Sequence, residues 1–215
     1  RVDLLTKYQD AAYAVQYREA VNRVRAAESA LVGAGKPLPL TEAAARNLAK
    51  LMAYKDEYEV ARLYTDPIFL DKLRAQFEGE PGRDYQLNFW LAPPTMAKRD
   101  DKGNLVKRRF GPSTMTLFRI LAKLKGLRGG ALDIFGKTEE RRTERALIGE
   151  YRALLEELSR GLTAANHGTA VELANLPDDI RGFGHVKDNN LKTARGKWER
   201  LLKLFRDPQA GQQAA

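Results

Sequence analysis

Thr138-Glu139-Glu140-Arg141-Arg142-Thr143-Glu144-Arg145-Ala146-Leu147-Ile148-Gly149-Glu150-Tyr151-Arg152-Ala153-Leu154-Leu155-Glu156-Glu157-Leu158-Ser159-Arg160-Gly161 is the stretch that decides the fold. Thr138 is a capping residue, and Glu139 and Glu140 place negative charge where the helix dipole favours it. Leu147, Ile148, Tyr151, Leu154, Leu155 and Leu158 recur at intervals of three and four, which marks one buried stripe ending at Gly161. A helix of this length needs partners for its apolar face, and the rest of the chain supplies them in kind.

Toward the N-terminus, Asp3 precedes apolar residues at Leu4, Leu5, Tyr8, Ala12, Val15, Val21, Val24 and Leu31, which predicts one helix reaching about residue 32. Gly33, Gly35, Pro37 and Pro39 end it. Thr41-Glu42 begins a second helix carrying Leu48, Leu51, Met52, Tyr54, Tyr58 and Ala61. Asp66-Pro67 caps a short third, because a proline at the first helical position loses no hydrogen bond. Between residues 85 and 110 the period changes. Tyr85, Leu87, Phe89 and Leu91 alternate with polar neighbours and Trp90, Asp100-Asp101-Lys102-Gly103 is a turn, and Leu105 to Phe110 makes a second strand. Helices return at Ser113, with Leu117, Phe118, Leu121 and Leu124 on one side, at Thr163 to about Asn175, and from Val186 to Phe205. The chain therefore reads as mainly α, a helical domain with a small β-hairpin or short antiparallel sheet insertion. Its expected division is a long helix and linker over 1–36, the helical domain over 37–206, and a flexible tail over 207–215.

Composition excludes several chemistries. The chain has no cysteine and two histidines, His167 and His185, so it offers no thiol nucleophile, no zinc or redox CxxC and no HExxH pair. No apolar run approaches the roughly 20 residues of a membrane span. With no disulfide framework and no signal-like opening at Arg1, the expected location is cytoplasmic, in a processed chain or a piece of a longer polypeptide. The net charge of +9 favours an anionic partner. The bases are spread along the chain, mostly beside acids, which speaks against nucleic acid.

Two segments are candidates for anion contact. Arg181-Gly182-Phe183-Gly184-His185-Val186-Lys187 joins two glycines, which allow tight turns, to the start of a helix, whose free N–H groups attract anions. Arg181, His185 and Lys187 would add charge there. Lys123-Leu124-Lys125-Gly126-Leu127-Arg128-Gly129-Gly130 offers Lys125 and Arg128, although cations at a helix C-terminus also serve the dipole alone. Tyr54-Lys55-Asp56-Glu57-Tyr58-Glu59 reads either as surface pairs or as a grip for another domain. No nucleophile or orienting group accompanies either histidine, and no catalytic residue or metal ligand is expected.

Those segments, together with Leu51-Met52-Ala53-Tyr54, Leu91-Ala92-Pro93-Pro94, Phe110-Gly111-Pro112 and Leu121-Ala122-Lys123-Leu124, carry a likeness. In order and spacing they resemble the C-terminal region of the fused indolepyruvate:ferredoxin oxidoreductases of bacteria, over about Leu5 to Phe205. The Glu80-Pro81-Gly82-Arg83 turn departs from that pattern. The resemblance implies a module of an enzyme that oxidatively decarboxylates arylpyruvates to aryl-acetyl-CoA. Thiamine diphosphate, an iron–sulfur cluster and coenzyme A would be held elsewhere in that enzyme, and ferredoxin would accept its electrons. It further implies that the partners of this chain are other domains of the same polypeptide or a dimer mate, and it supplies no catalytic residue. The rival reading is a free-standing basic helical module that binds nucleic acid or a protein.

Overall fold

Helix termini explain most of the architecture. In the computed structural model, which describes residues 1–93, 100, 106–182 and 185–209, the first predicted helix is two: α1 (Val2–Tyr8) and α2 (Ala11–Val32). The break is made by Asp10, whose carboxylate accepts the Tyr13 N–H at 2.7 Å as the cap of α2, while Asp3 caps nothing. The second predicted helix also divides, into α3 (Pro39–Met52) and α4 (Glu57–Thr65), with Asp56 capping the latter. α3 starts at Pro39 rather than Thr41. Its cap comes from a distance: the Glu28 carboxylate of α2 accepts the N–H groups of Leu40 and Thr41 and the Thr41 hydroxyl. Asp66 caps α5 (Pro67–Gln76) as expected.

The sheet is shorter than the alternation suggested. β1 (Phe89–Leu91) and β2 (Arg108–Phe110) pair antiparallel, with Phe89 opposite Phe110, Trp90 opposite Arg109 and Leu91 opposite Arg108. The Asp100–Gly103 turn and Leu105 fall largely outside the described residues. α6 (Thr114–Lys123) leads to a single 3-10 turn at Lys125–Leu127. Then come α7 (Glu139–Gly161), α8 (His167–Asn175) and α9 (His185–Arg206). α8 begins later than Thr163. That residue joins Asn166 in a loop, where the Thr163 N–H donates to Asn166 Oδ1 at 2.8 Å. The mainly α chain with one small antiparallel hairpin stands as read.

Contacts divide the chain differently from the 1–36, 37–206 and 207–215 partition. One unit comprises Arg1–Tyr54 and Arg142–Ala215, the other Lys55–Arg141. In the first unit α2, α3 and α8 pack in succession, and α9 lies on α8. Leu5, Val24, Leu48, Met52, Leu155, Leu158 and Leu173 are fully or almost fully buried there. Truncating any one of these leucines to alanine should remove about 2–5 kcal/mol, since both the transfer term and the residual cavity oppose it.

The second unit is small and aromatic. α4 packs along α6, where Ala61 is fully buried and permits close approach. The Tyr64 ring stacks on Phe118 at 5.3 Å and meets Phe89 and Phe69 edge-on at 5.1 and 5.5 Å. These contacts seat the inner face of the hairpin on α6. The expected apolar side of α6 is only partly an inward one. Phe118 is buried and Leu121 half-buried, whereas Leu117 and Leu124 face solvent.

Candidate functional site

The second unit contains a buried polar cluster built from both ends of its chain. Asp56 caps α4 by accepting the Glu59 N–H at 2.8 Å, and the same carboxylate takes a two-point contact from Arg128. Arg128 Nε lies 2.5 Å from Asp56 Oδ2, and its Nη2 lies 3.0 Å from Oδ1. The guanidinium also sits 5.6 Å over the Tyr58 ring, a cation–π position. Tyr58 donates its hydroxyl to Asp133 Oδ1 at 3.2 Å, and Asp133 accepts the N–H groups of Gly129, Phe135 and Gly136. Burial, reinforced by Asp133 and Asp56 against the opposing charge of Arg128, pushes the Tyr58 hydroxyl up to about 12. Tyr58 therefore stays protonated at neutral pH and acts as a donor. The cluster pins residues 128–136 to the start of α4: Asp56 and Arg128 pair with each other, and Asp133 is held by the Tyr58 hydroxyl and three backbone N–H groups, which is structural work.

Glu57 differs from its neighbours. Its Oε1 lies 3.5 Å from Arg141, while its buried Oε2 makes no hydrogen bond. Burial raises its pKa, Arg141 and its own backbone N–H oppose the rise, and Asp56 adds to it. Arg62 completes the charged face of α4, holding Glu59 through two bonds of 2.8 and 2.7 Å and Asp66 at 3.1 Å.

In the first unit, a second polar knot joins α2, α3 and α8. Glu28, with no exposed surface, receives Leu40, Thr41 and, at 2.8 Å, His167 Nε2. Burial would raise its pKa, but the hydrogen bonds from Thr41, His167 and the two backbone N–H groups outweigh that and lower it. His167 is thus a half-buried boundary residue that partners a buried carboxylate. Periodicity held the clue: Glu28 occupies the apolar stripe of α2 between Val24 and Leu31.

The five residues proposed for anion contact do not share one unit. Lys125 and Arg128 belong to the second, and Arg181, His185 and Lys187 to the first. Arg128 is buried and engaged by Asp56. Lys187 bonds Glu144 at 2.6 Å, and exposed Arg181 donates through Nε to the Asp178 carbonyl at 2.6 Å. Lys50 stands close to both: burial lowers its pKa, Asp178 opposes this, and the charges of Arg181 and Lys187 lower it further. Cations therefore converge at the C-terminal end of α3, interleaved with Asp178, Asp179 and Glu144. His185 opens α9, while Phe183, Gly184 and the His185 side chain lie outside the described residues. Lys125 is half-buried in the 3-10 turn.

A thiolate-held iron–sulfur cluster does not fit this chain, which has no cysteine. Among the described residues no three His, Asp or Glu gather to hold a metal ion, and no helix is long and apolar enough to cross a membrane.

Fold and sites together define a mainly helical, basic chain of two units, each with its own buried polar cluster. The chain belongs to a protein family of unknown function, DUF6537, whose sequence pattern matches residues 1–200 and so covers both units. No curated protein and no solved structure matches it.

Proposed function

We propose that this chain is the C-terminal structural and interaction module of a thiamine-dependent indolepyruvate (arylpyruvate):ferredoxin oxidoreductase, working in the cytoplasm. In that enzyme thiamine diphosphate, an iron–sulfur cluster and coenzyme A, held by other domains, would carry the decarboxylation and the transfer of the acyl group. Ferredoxin would take the electrons. This module would hold neighbouring domains or a dimer mate in place. The motif likeness over Leu5 to Phe205 supports the enzyme, and one structural observation supports the module. Ten of the thirteen exposed large hydrophobic residues among those described fall in the second unit. Of these, Leu117, Ile120 and Leu124 share one face of α6, and apolar surface gathered in this way marks a contact surface.

The experiment has two parts. The full-length polypeptide should contain thiamine-binding domains and reduce ferredoxin when supplied with indolepyruvate and coenzyme A. The 215-residue chain alone should not. A reading frame no longer than this chain, or turnover by the isolated chain, would defeat the proposal. The rival of a free-standing basic module draws on the acid-free run from Lys102 to Leu132, and the first of those outcomes would favour it.

A further inference from the structure

α6 has two apolar faces, and only one is used within the fold. Phe118, with half-buried Met115, Leu121 and Ala122, closes on Ala61, Tyr64 and the inner face of the hairpin. Leu117, Ile120 and Leu124, spaced i, i+3 and i+7, line the other face and are 52, 53 and 40% exposed. Charge around this stripe is one-sided. From Thr114 to Lys123 the helix carries two basic residues and no aspartate or glutamate. Arg119 and Lys123, both exposed, lie on α6 itself.

We infer that the Leu117–Ile120–Leu124 stripe docks into an apolar groove rimmed by acidic residues on a protein partner. The inference rests on the module reading above and names the chemistry of what the module touches. The spacing is that of a helix laid into a groove through anchors one and two turns apart. The sign of the partner follows from Arg119 and Lys123, the two charged residues of α6, to which an acidic rim would give opposite neighbours. A second copy applying the same face would set Arg119 and Lys123 against themselves, because a two-fold interface is self-complementary. Nucleic acid would satisfy the cations but leave the aliphatic stripe without a partner. A bilayer surface takes up the whole apolar face of an amphipathic helix, whereas these three residues subtend only about 60° at 100° per residue. Moreover, the opposite side of α6 is already committed to α4.

The test uses the full-length natural polypeptide with a photoreactive p-benzoylphenylalanine in place of Ile120, and a control in place of exposed Glu19 on α2. After irradiation, the cross-linked peptide is sequenced. The Ile120 probe should mark a protein segment with a surplus of Asp and Glu, and the Glu19 probe should not. The double variant R119E/K123E, with unchanged circular dichroism and urea midpoint, should reduce that cross-link at least about tenfold, as loss of a charge-steered docking contact does. Added salt should weaken it as well. A cross-link to lipid, to nucleic acid or to α6 of a second copy overturns the inference, as does no cross-link at all. A cross-link into a neutral or basic segment of a thiamine-binding domain overturns the acidic groove but leaves the module reading standing. An acidic segment in a protein unrelated to thiamine enzymes upholds the groove and removes that reading.

Discussion

Replacing Arg128 with alanine should loosen the second unit far more than the first. The Arg128 side chain is 6% exposed and that of Asp56 is 4%, so the pair is shielded from solvent. Removing one member of such a pair leaves the other as a buried, unbalanced charge, at a cost of about 3–5 kcal/mol. Asp56 would keep the Glu59 N–H as a donor but lose both guanidinium contacts. Tyr58 would lose the cation over its ring at the same time. The double variant Asp56→Asn with Arg128→Met removes both charges and keeps volume, so it should be destabilised by less than R128A alone. Asp56→Ala should do at least as much damage as R128A, because it also removes the cap of α4, worth about 0.5–2 kcal/mol. Hydrogen-exchange mass spectrometry reads these changes locally. In R128A, peptides from Lys55 to Arg141 should lose protection while those of α2, α3 and α8 keep theirs. Loss of less than about 1 kcal/mol, the level of an exposed pair, would refute the claim that this ion pair organises the unit.

Other variants probe other joints. Glu28→Gln should cost about 1.5–3 kcal/mol at neutral pH, the scale of hydrogen bonds to a charged group. Because the folded-state pKa of Glu28 lies below its ordinary 4.5, that contribution is complete above 4.5 and disappears as pH falls through the lower folded value. Urea titrations of wild type and E28Q should therefore converge in acid. Asn166 donates to the carbonyls of Gly161 and Phe205 at 2.9 and 3.1 Å and accepts from Thr163, so Asn166→Ala should lower stability by about 2–4 kcal/mol in a urea titration. Gly79 has φ of +90°, and a Cβ there would collide with Asp84, so Gly79→Ala should strain the turn by about 1–3 kcal/mol. Limited proteolysis should then cut earlier between residues 77 and 85.

The long helices were legible because their signals are local. α7 shows its capping threonine and its stripe in order, and Leu147, Tyr151, Leu154, Leu155 and Leu158 are all buried. Asp66-Pro67 announced α5 in the same way. The break after Tyr8 is local, made by the Asp10 cap inside an otherwise continuous apolar stripe, whereas the break after Met52 was hidden because distant residues make it. The Met52 carbonyl accepts the Tyr13 hydroxyl, and the Tyr54 carbonyl accepts that of Tyr8, each at 3.0 Å. These bonds satisfy the end of α3 and the bend after it from 39 and 46 residues away, and no neighbouring residue reports them. The internal partner of one candidate residue was hidden for a related reason. Arg128 looked available to a ligand because its counterion, Asp56, is 72 residues earlier, in a segment that reads either as surface pairs or as a grip for another domain. Glu28, by contrast, was readable as a carboxylate inside an apolar stripe, which calls for a buried partner.

The second unit interrupts the first, and that order has a consequence during synthesis. When Tyr54 leaves the ribosome, α2 and α3 are made, but Leu155, Leu158 and Leu173, which belong to the same core, are not. The 87 residues of Lys55–Arg141 must be translated in between, about 4–17 s at 5–20 residues per second. Through that interval the nascent chain carries an unmatched greasy face while the inserted segment is free to mature ahead of it. A chaperone that recognises exposed aliphatic side chains should therefore associate with stalled ribosomes whose chains end near Arg141, and leave once α7 and α8 have emerged.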